Sequence, residues 1–168
     1  RQRQMCIRDR IQSLPINSGV FCLKKDRFQD VVWIGTDGQG VYLYSNPLYS
    51  IKSMVLSNYT EKIERPVRAI YLDDECTFWV GTKGNGILKI YDYEFDKNIS
   101  DCRAEVLTTS NSALSSNAVY CFAKSHRNLL WIGDEEGLTY YSYREKRIKS
   151  IPIRIGNEDF KYIHDIYE

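Results

Sequence analysis

The sequence predicts an all-β chain: a β-propeller fragment of three complete four-stranded blades with partial blades on either side. Three observations predict it. A Trp-aliphatic-Gly signature recurs at Trp33-Ile34-Gly35, Trp79-Val80-Gly81 and Trp131-Ile132-Gly133, with the indoles 46 and 52 residues apart. Each copy is preceded by a β-favouring run and a polar turn, in VFCLKKDRFQDVVW, VRAIYLDDECTFW and VYCFAKSHRNLLW. Each is followed by a glycine-marked turn and a further β run, VYLY, ILKIY or LTYYSY. Four short strands in roughly 45–50 residues, repeated, mark a propeller blade. Helical solenoids of similar period need apolar residues at 3.6 spacing, which these runs bounded by Gly, Asp and Asn lack.

In chain order, the first ten residues, RQRQMCIRDR, hold four Arg, one Asp and no strand or turn pattern, so 1–9 is expected to be a non-native or disordered tail. RIQSLPIN (10–17) echoes RIKSIPIR (147–154) and reads as the outer strand of a preceding blade; SIKSMVLSN (50–58) is a looser copy. Whole blades are expected at 18–58, 65–110 and 116–154, and the first strand of a further one at 161–168, around YIHDIYE. For the second blade the strands fall at Val67–Leu72, Thr77–Thr82, Ile87–Tyr91 and Glu105–Thr108. First strands are apolar on both faces, as in Val119-Tyr120-Cys121-Phe122, which suits a strand sandwiched between neighbouring sheets.

The glycines of WIGTDGQG and WVGTKGNG are spaced as in phosphate-binding loops. Such a loop feeds a helix N-terminus that points N–H groups at the anion. Here strand runs follow instead, no Lys-Ser/Thr pair closes the motif, and the third copy, WIGDEEG, loses a glycine. Gly38, Gly40, Gly84 and Gly86 are therefore expected at positive φ in hairpins between second and third strands. The repeat positions Trp33, Gly35, Gly40, Trp79, Gly81, Gly86, Trp131, Gly133 and Gly137 are read as structural, with each Trp packed between blades.

The 168 residues are 43% hydrophobic with thirteen Tyr, enough for one ordinary domain core. A formal charge of +1 gives no field favouring nucleic acid or membrane, and no apolar run reaches spanning length. Five cysteines without a CxxC pair do not reveal a redox compartment. Cys22 and Cys121 share one strand position, where the second blade has Ala69, which favours small buried side chains two blades apart over a disulfide, redox or metal role. His126 falls in a polar turn and His164 in the last strand, with no nucleophile arrangement around them. The turns Asp73-Asp74-Glu75 and Asp134-Glu135-Glu136 match no calcium-loop spacing and read as solvated. No catalytic, cofactor or metal residues are assigned. Ligand contacts are sought on loops at one end of the blades: Asn46 to Tyr49, the insertion Tyr93 to Cys102, and Tyr120 or Arg68 on the first strands.

At these residues the sequence resembles the two-component regulator propeller repeat. The entry appears as Leu114-Ser115-Ser116-Asn117-Ala118-Val119, and less regularly from Leu14 to Val20. The core is Trp33–Thr36, Trp79–Thr82 and Trp131–Gly133, and the exit Gly40-Val41-Tyr42, Gly86-Ile87-Leu88 and Gly137-Leu138-Thr139. Asp134 departs from the pattern's Thr, and the third copy is one glycine short. The resemblance implies a seven-bladed propeller in the periplasmic part of a bacterial hybrid sensor whose histidine kinase lies outside this segment. It further implies an oligosaccharide ligand, a homodimer in the full-length protein, the remaining blades as packing partners, and no cofactor or catalysis in this segment. A secreted or surface adhesion scaffold and a propeller lyase or hydrolase are the alternatives. The enzyme would need clustered carboxylates, His or metal ligands, whereas the first strands offer mainly Val, Cys, Ala, Ile and Phe.

Overall fold

The computed structural model describes residues 14–45, 50–53, 64–93 and 102–167. Twelve strands form three four-stranded antiparallel sheets, each with its strands side by side in chain order. Sheet 1 holds β1 (Val20–Lys25), β2 (Val31–Thr36), β3 (Val41–Ser45) and β4 (Ser50–Ser53). Sheet 2 holds β5 (Val67–Leu72), β6 (Phe78–Thr82), β7 (Ile87–Ile90) and β8 (Ala104–Leu107). Sheet 3 holds β9 (Val119–Ser125), β10 (Leu129–Asp134), β11 (Leu138–Ser142) and β12 (Arg147–Ile151). A two-stranded hairpin, β13 (Arg154–Ile155) and β14 (Glu158–Asp159), follows and was not anticipated from the sequence. No helix occurs among the described residues, and the arrangement is propeller-like.

The sheets pack face to face. Phe78, Val80, Leu88 and Ile90 of sheet 2 join Trp33 and Val41 of sheet 1 in one core. Trp79 and Ile87, the alternate residues of the same strands, join Val119, Leu130, Ile132 and Tyr141 of sheet 3 in a second. Period-two alternation thus sends every other residue of β6 to opposite neighbours, and all five of its residues are buried. Burying an aromatic of this size is worth about 4–6 kcal/mol of transfer free energy, which makes Trp33, Phe78 and Trp79 principal anchors. Leu114 of the entry segment enters the second core, and the Asn117 carbonyl accepts the N–H groups of Gly84 and Gly86 at 2.9 Å each. That tie accounts for the entry motif before β9: it laces this first strand to the hairpin of sheet 2.

The hairpins behave as expected. Thr82 Oγ donates to the Gly86 carbonyl at 2.8 Å, and Gly86 sits at φ 73° with Leu107 O only 2.2 Å from where a Cβ would stand. Thr36 and Gly40 repeat the bond at 2.7 Å. In sheet 3 the loop is one residue shorter, and Asp134 replaces the threonine by accepting the N–H groups of Glu136 (2.9 Å) and Gly137 (3.0 Å).

Four expectations need correction. Trp131 is half-buried and makes an edge contact with Tyr140 of its own sheet, rather than packing into a core between sheets as Trp33 and Trp79 do. Residues 160–167 form no strand, although the segment docks on sheet 3 through Tyr162 N to Glu135 O (3.0 Å) and Ile163 N to Asp134 O (3.1 Å). The acidic turns are not simply solvated: Asp73 and Asp134 are buried and spent on internal hydrogen bonds. Of the outer strand expected at 10–17, residues 14–17 are not strand, and the remainder lies outside the described residues, as does the tail 1–9.

Candidate functional site

Each first strand carries one residue more than its partner. Pairing steps from Val20–Thr36 to Cys22–Gly35 in sheet 1, from Val67–Thr82 to Ala69–Gly81 in sheet 2, and from Val119–Asp134 to Cys121–Gly133 in sheet 3. The surplus residues are Phe21, Arg68 and Tyr120. A bulge takes its residue out of the strand's alternation and re-aims the side chain, which is why bulges gather near binding sites. Since β1 lies beside β5 and β5 beside β9, the three side chains form a row.

The row has a fourth member. A Cβ added to Gly35 would meet Val67 at 2.8 Å, and one added to Gly81 would meet Val119 at 2.9 Å. At Gly133 the same place is taken by Ile163, with its Cγ2 2.8 Å away. Ile163 therefore stands where Val67 and Val119 stand, and the residue after it, His164, follows Phe21, Arg68 and Tyr120.

Planar groups run along this row. The Arg68 guanidinium carbon lies 3.9 Å from the Phe21 ring centroid, a close cation–π contact. Tyr120 and His164 stack with centroids 4.4 Å apart and planes 28° apart. Burial first, then the charge of Glu135, pushes the Tyr120 phenol above its usual value, while the charge of Arg68 pulls it down. Among the described residues Arg68, Tyr120 and His164 make no hydrogen bond or ion pair, and Arg68 Nε is shut away from solvent without a partner. Their faces are engaged with one another and their polar edges are unspent. That arrangement can hold a polyhydroxylated ligand.

The other residues singled out by sequence fall elsewhere. Tyr93 and Cys102 are buried in the first core, Tyr93 edge-on to Trp33 at 5.3 Å. Residues 46–49 and 94–101 lie outside the described residues. Cys22 Sγ faces the Val67 carbonyl at 3.8 Å and Cys121 Sγ the Ile163 carbonyl at 3.6 Å, so both sit in the seam between first strands. Burial pushes each thiol up to about 11. His126 lies exposed in the turn after β9. His164, which the sequence alone gave no reason to single out, belongs to the row. Both it and Phe21 were findable, because each directly follows a Val or Ile, as Arg68 and Tyr120 do.

A second group escaped the sequence reading. Lys89 is buried between sheets 2 and 3, its Nζ 4.4–4.7 Å from the ring centroids of Trp79, Tyr91 and Tyr141 and 3.0 Å from the Tyr141 hydroxyl. Desolvation lowers its pKa, opposed first by the charge of Glu105, 3.9 Å away. A lysine in VYLY-like context gives no sign that three aromatics will close on it. A cleft of about 680 Å³ opens between the outer strands nearby, lined in part by Glu105, Tyr141, Lys146 and Lys149.

No protein-family model matches the chain. Translation initiation factor 6 of Saccharolobus solfataricus is 29% identical over 140 residues, covering 76% of this chain and 57% of that protein. Among solved structures, the extracellular domain assigned to the hybrid two component system BT3049 of B. thetaiotaomicron superposes with a TM-score of 0.63 at 25% identity. It covers 90% of this chain, which spans 18% of that domain. PorZ, an essential surface component of the type-IX secretion system of Porphyromonas gingivalis, superposes with a TM-score of 0.57 at 24% identity over 73% of this chain and 17% of PorZ. PorZ shares the fold; the BT3049 domain shares it over nearly the whole chain.

Proposed function

We propose that this chain is a non-catalytic, ligand-sensing section of a β-propeller in the extracellular or periplasmic part of a bacterial hybrid two-component sensor, and that its ligand is an oligosaccharide. The likeness to the BT3049 extracellular domain carries the proposal, because it spans 90% of the chain and accompanies the same all-β architecture. Further blades of the same repeat complete the propeller by covering β1. Leu23 of β1 is 65% exposed where its counterpart Ile70 is 7% exposed, as expected of a face meant for another sheet.

The row of Phe21, Arg68, Tyr120 and His164 is the ligand-facing element. Aromatic rings and unpaired N–H and O–H groups suit sugars, which present apolar ring faces and many hydroxyls. Ligand occupancy changes how propellers pack across a dimer, and a kinase elsewhere in the longer protein reads that change. Titration calorimetry of the chain against a panel of oligosaccharides tests the reading. Heat at micromolar to millimolar ligand, abolished by Tyr120→Ala with His164→Ala, is expected; silence across the panel at millimolar concentration overturns it.

A further inference from the structure

We infer that Arg68 is an oxyanion anchor, so that the ligand held by the row is an acidic oligosaccharide carrying a carboxylate or a sulfate ester. The inference rests on the oligosaccharide reading above and adds the charge of the ligand.

Arg68 is the member of the row with a fixed charge; at the same bulge the other sheets place Phe21 and Tyr120, and the docked segment places His164. Several other charged residues are paired. Asp74 is held by Arg27 at 2.5 Å and by Lys124, Lys149 by Glu145 at 2.7 Å, and Lys161 by Glu136 at 2.5 Å. Arg68 has no carboxylate partner among the described residues, and its Nε is both desolvated and unbonded. A guanidinium donor closed off from water without an acceptor is a cost that persists only if something offsets it.

Its geometry is suited to an anion. Stacking on Phe21 at 3.9 Å fixes the guanidinium plane and removes one face from play. What remains is the N–H edge, a planar fork that matches two oxygens of a carboxylate or sulfate. A preorganised fork loses little freedom on binding, so its contribution to affinity is realised in full. The neighbouring Tyr120 hydroxyl and His164 ring then meet the sugar hydroxyls adjoining the anionic group. The same arginine would reject a neutral sugar only weakly but would favour its acidic counterpart strongly, because only the acidic ligand brings the opposite charge that the guanidinium lacks.

The test uses matched pairs: oligogalacturonides against their methyl esters, and sulfated oligosaccharides against desulfated ones, each titrated into the chain and into Arg68→Gln and Arg68→Lys. The acidic member of at least one pair is expected to bind ten-fold or more tightly than its neutral partner, with affinity falling as salt rises. Arg68→Gln should erase that preference, so that the acidic member binds no more tightly than its neutral partner, and Arg68→Lys should restore only part of it. An unchanged thermal melt shows that the variants fold. A preference between carboxylate and sulfate pairs identifies which oxyanion is read. Neutral and acidic members binding alike, or a preference that survives Arg68→Gln, overturns the inference and leaves the sensing reading standing. No binding by any saccharide overturns both.

Discussion

The Trp79 indole donates its Nε1–H to Asp73 Oδ2 at 2.9 Å, and Trp33 makes the same bond to Asp26 at 3.0 Å. Each aspartate ends a first strand, and its other oxygen accepts backbone N–H groups of the turn that leads to the Trp: Glu75 and Thr77 in sheet 2, Phe28 and Gln29 in sheet 1. One carboxylate therefore closes the first turn of the sheet and fixes the ring that packs on the next. In sheet 3 the position is Ser125, which accepts the Arg127 N–H at 3.1 Å.

Asp73→Ala should cost about 2–4 kcal/mol of stability, since it strands a buried indole donor and two turn N–H groups. Urea denaturation followed by tryptophan fluorescence measures it. Ser125→Ala should cost less than half as much, because the Trp131 side of sheet 3 is only half-buried. A loss below about 0.5 kcal/mol for Asp73→Ala would show that water satisfies those donors.

Gly81 of sheet 2 lies against β9 of sheet 3. A Cβ there would fall 2.9 Å from Val119 Cγ1, 3.2 Å from Phe122 and 3.3 Å from Ala69. Gly81→Ala should destabilise by about 1–3 kcal/mol through overpacking. At Gly133 the clash includes the Ile163 carbonyl at 2.6 Å, and the segment there is held by few bonds. Gly133→Ala should therefore detach residues 160–167 rather than unfold the sheet. Hydrogen exchange reads the difference: protection lost at Tyr162 and Ile163 for Gly133→Ala, and across β5, β6 and β9 for Gly81→Ala.

The strands and hairpins were legible because they repeat: three copies of one Trp-Gly pattern fix the register of second and third strands, and period-two alternation shows which residues share a face. Phe78–Thr82 and Ala104–Leu107 fall within one residue of the spans expected for them. The acidic turns were misread because burial of Asp73 depends on an indole six residues on and on the sheet beyond, neither visible in a local charge run. The row was half legible. Arg68 and Tyr120 stood out as unusual residues on apolar strands, but their alignment with Phe21 and His164 needs the bulge, which a strand pattern read at period two conceals. The Lys89 cage draws its aromatics from two sheets and left no trace in any one segment.

Two aspartates should give the stability curve opposite slopes. Burial holds the Asp134 carboxyl above its ordinary 3.8, against hydrogen bonds from Ser115, Glu136, Gly137 and Thr139 that pull it down. A raised carboxyl binds its proton more tightly when folded, so its contribution is present below 3.8 and lost as pH rises through the raised value. Asp74 is the reverse: the hydrogen bond from Lys124, then the charges of Lys124 and Arg27, lower it, so its contribution is present above 3.8 and lost as pH falls through the lowered value. Asp134→Asn should remove the decline above 3.8, its amide oxygen still accepting the turn N–H groups. Asp74→Asn should flatten the acid limb by less, because that side chain is half exposed and screened. Urea midpoints taken from about pH 2.5 to 7 check both signs. An Asp134→Asn curve parallel to the parent would exclude the buried carboxyl as a source of pH dependence.

Cys22 and Cys121 test the seam between first strands chemically. Burial, offset by a backbone hydrogen bond from the paired glycine, raises each thiol from 9.0 to about 11. Only the thiolate alkylates, so at pH 8 the raised value alone slows each by about 100-fold relative to an ordinary thiol. Iodoacetamide labelling followed by mass spectrometry should mark both sites in urea and leave them unmodified in the folded chain over the same interval. Adding ligand tightens the row of Arg68, Tyr120 and His164, each of which lies one residue from the seam contacts Val67, Cys121 and Ile163, and should slow labelling of Cys121 further. Rapid modification of Cys121 in the folded chain would mean that the 160–167 segment leaves its place on sheet 3 often enough to expose the thiol.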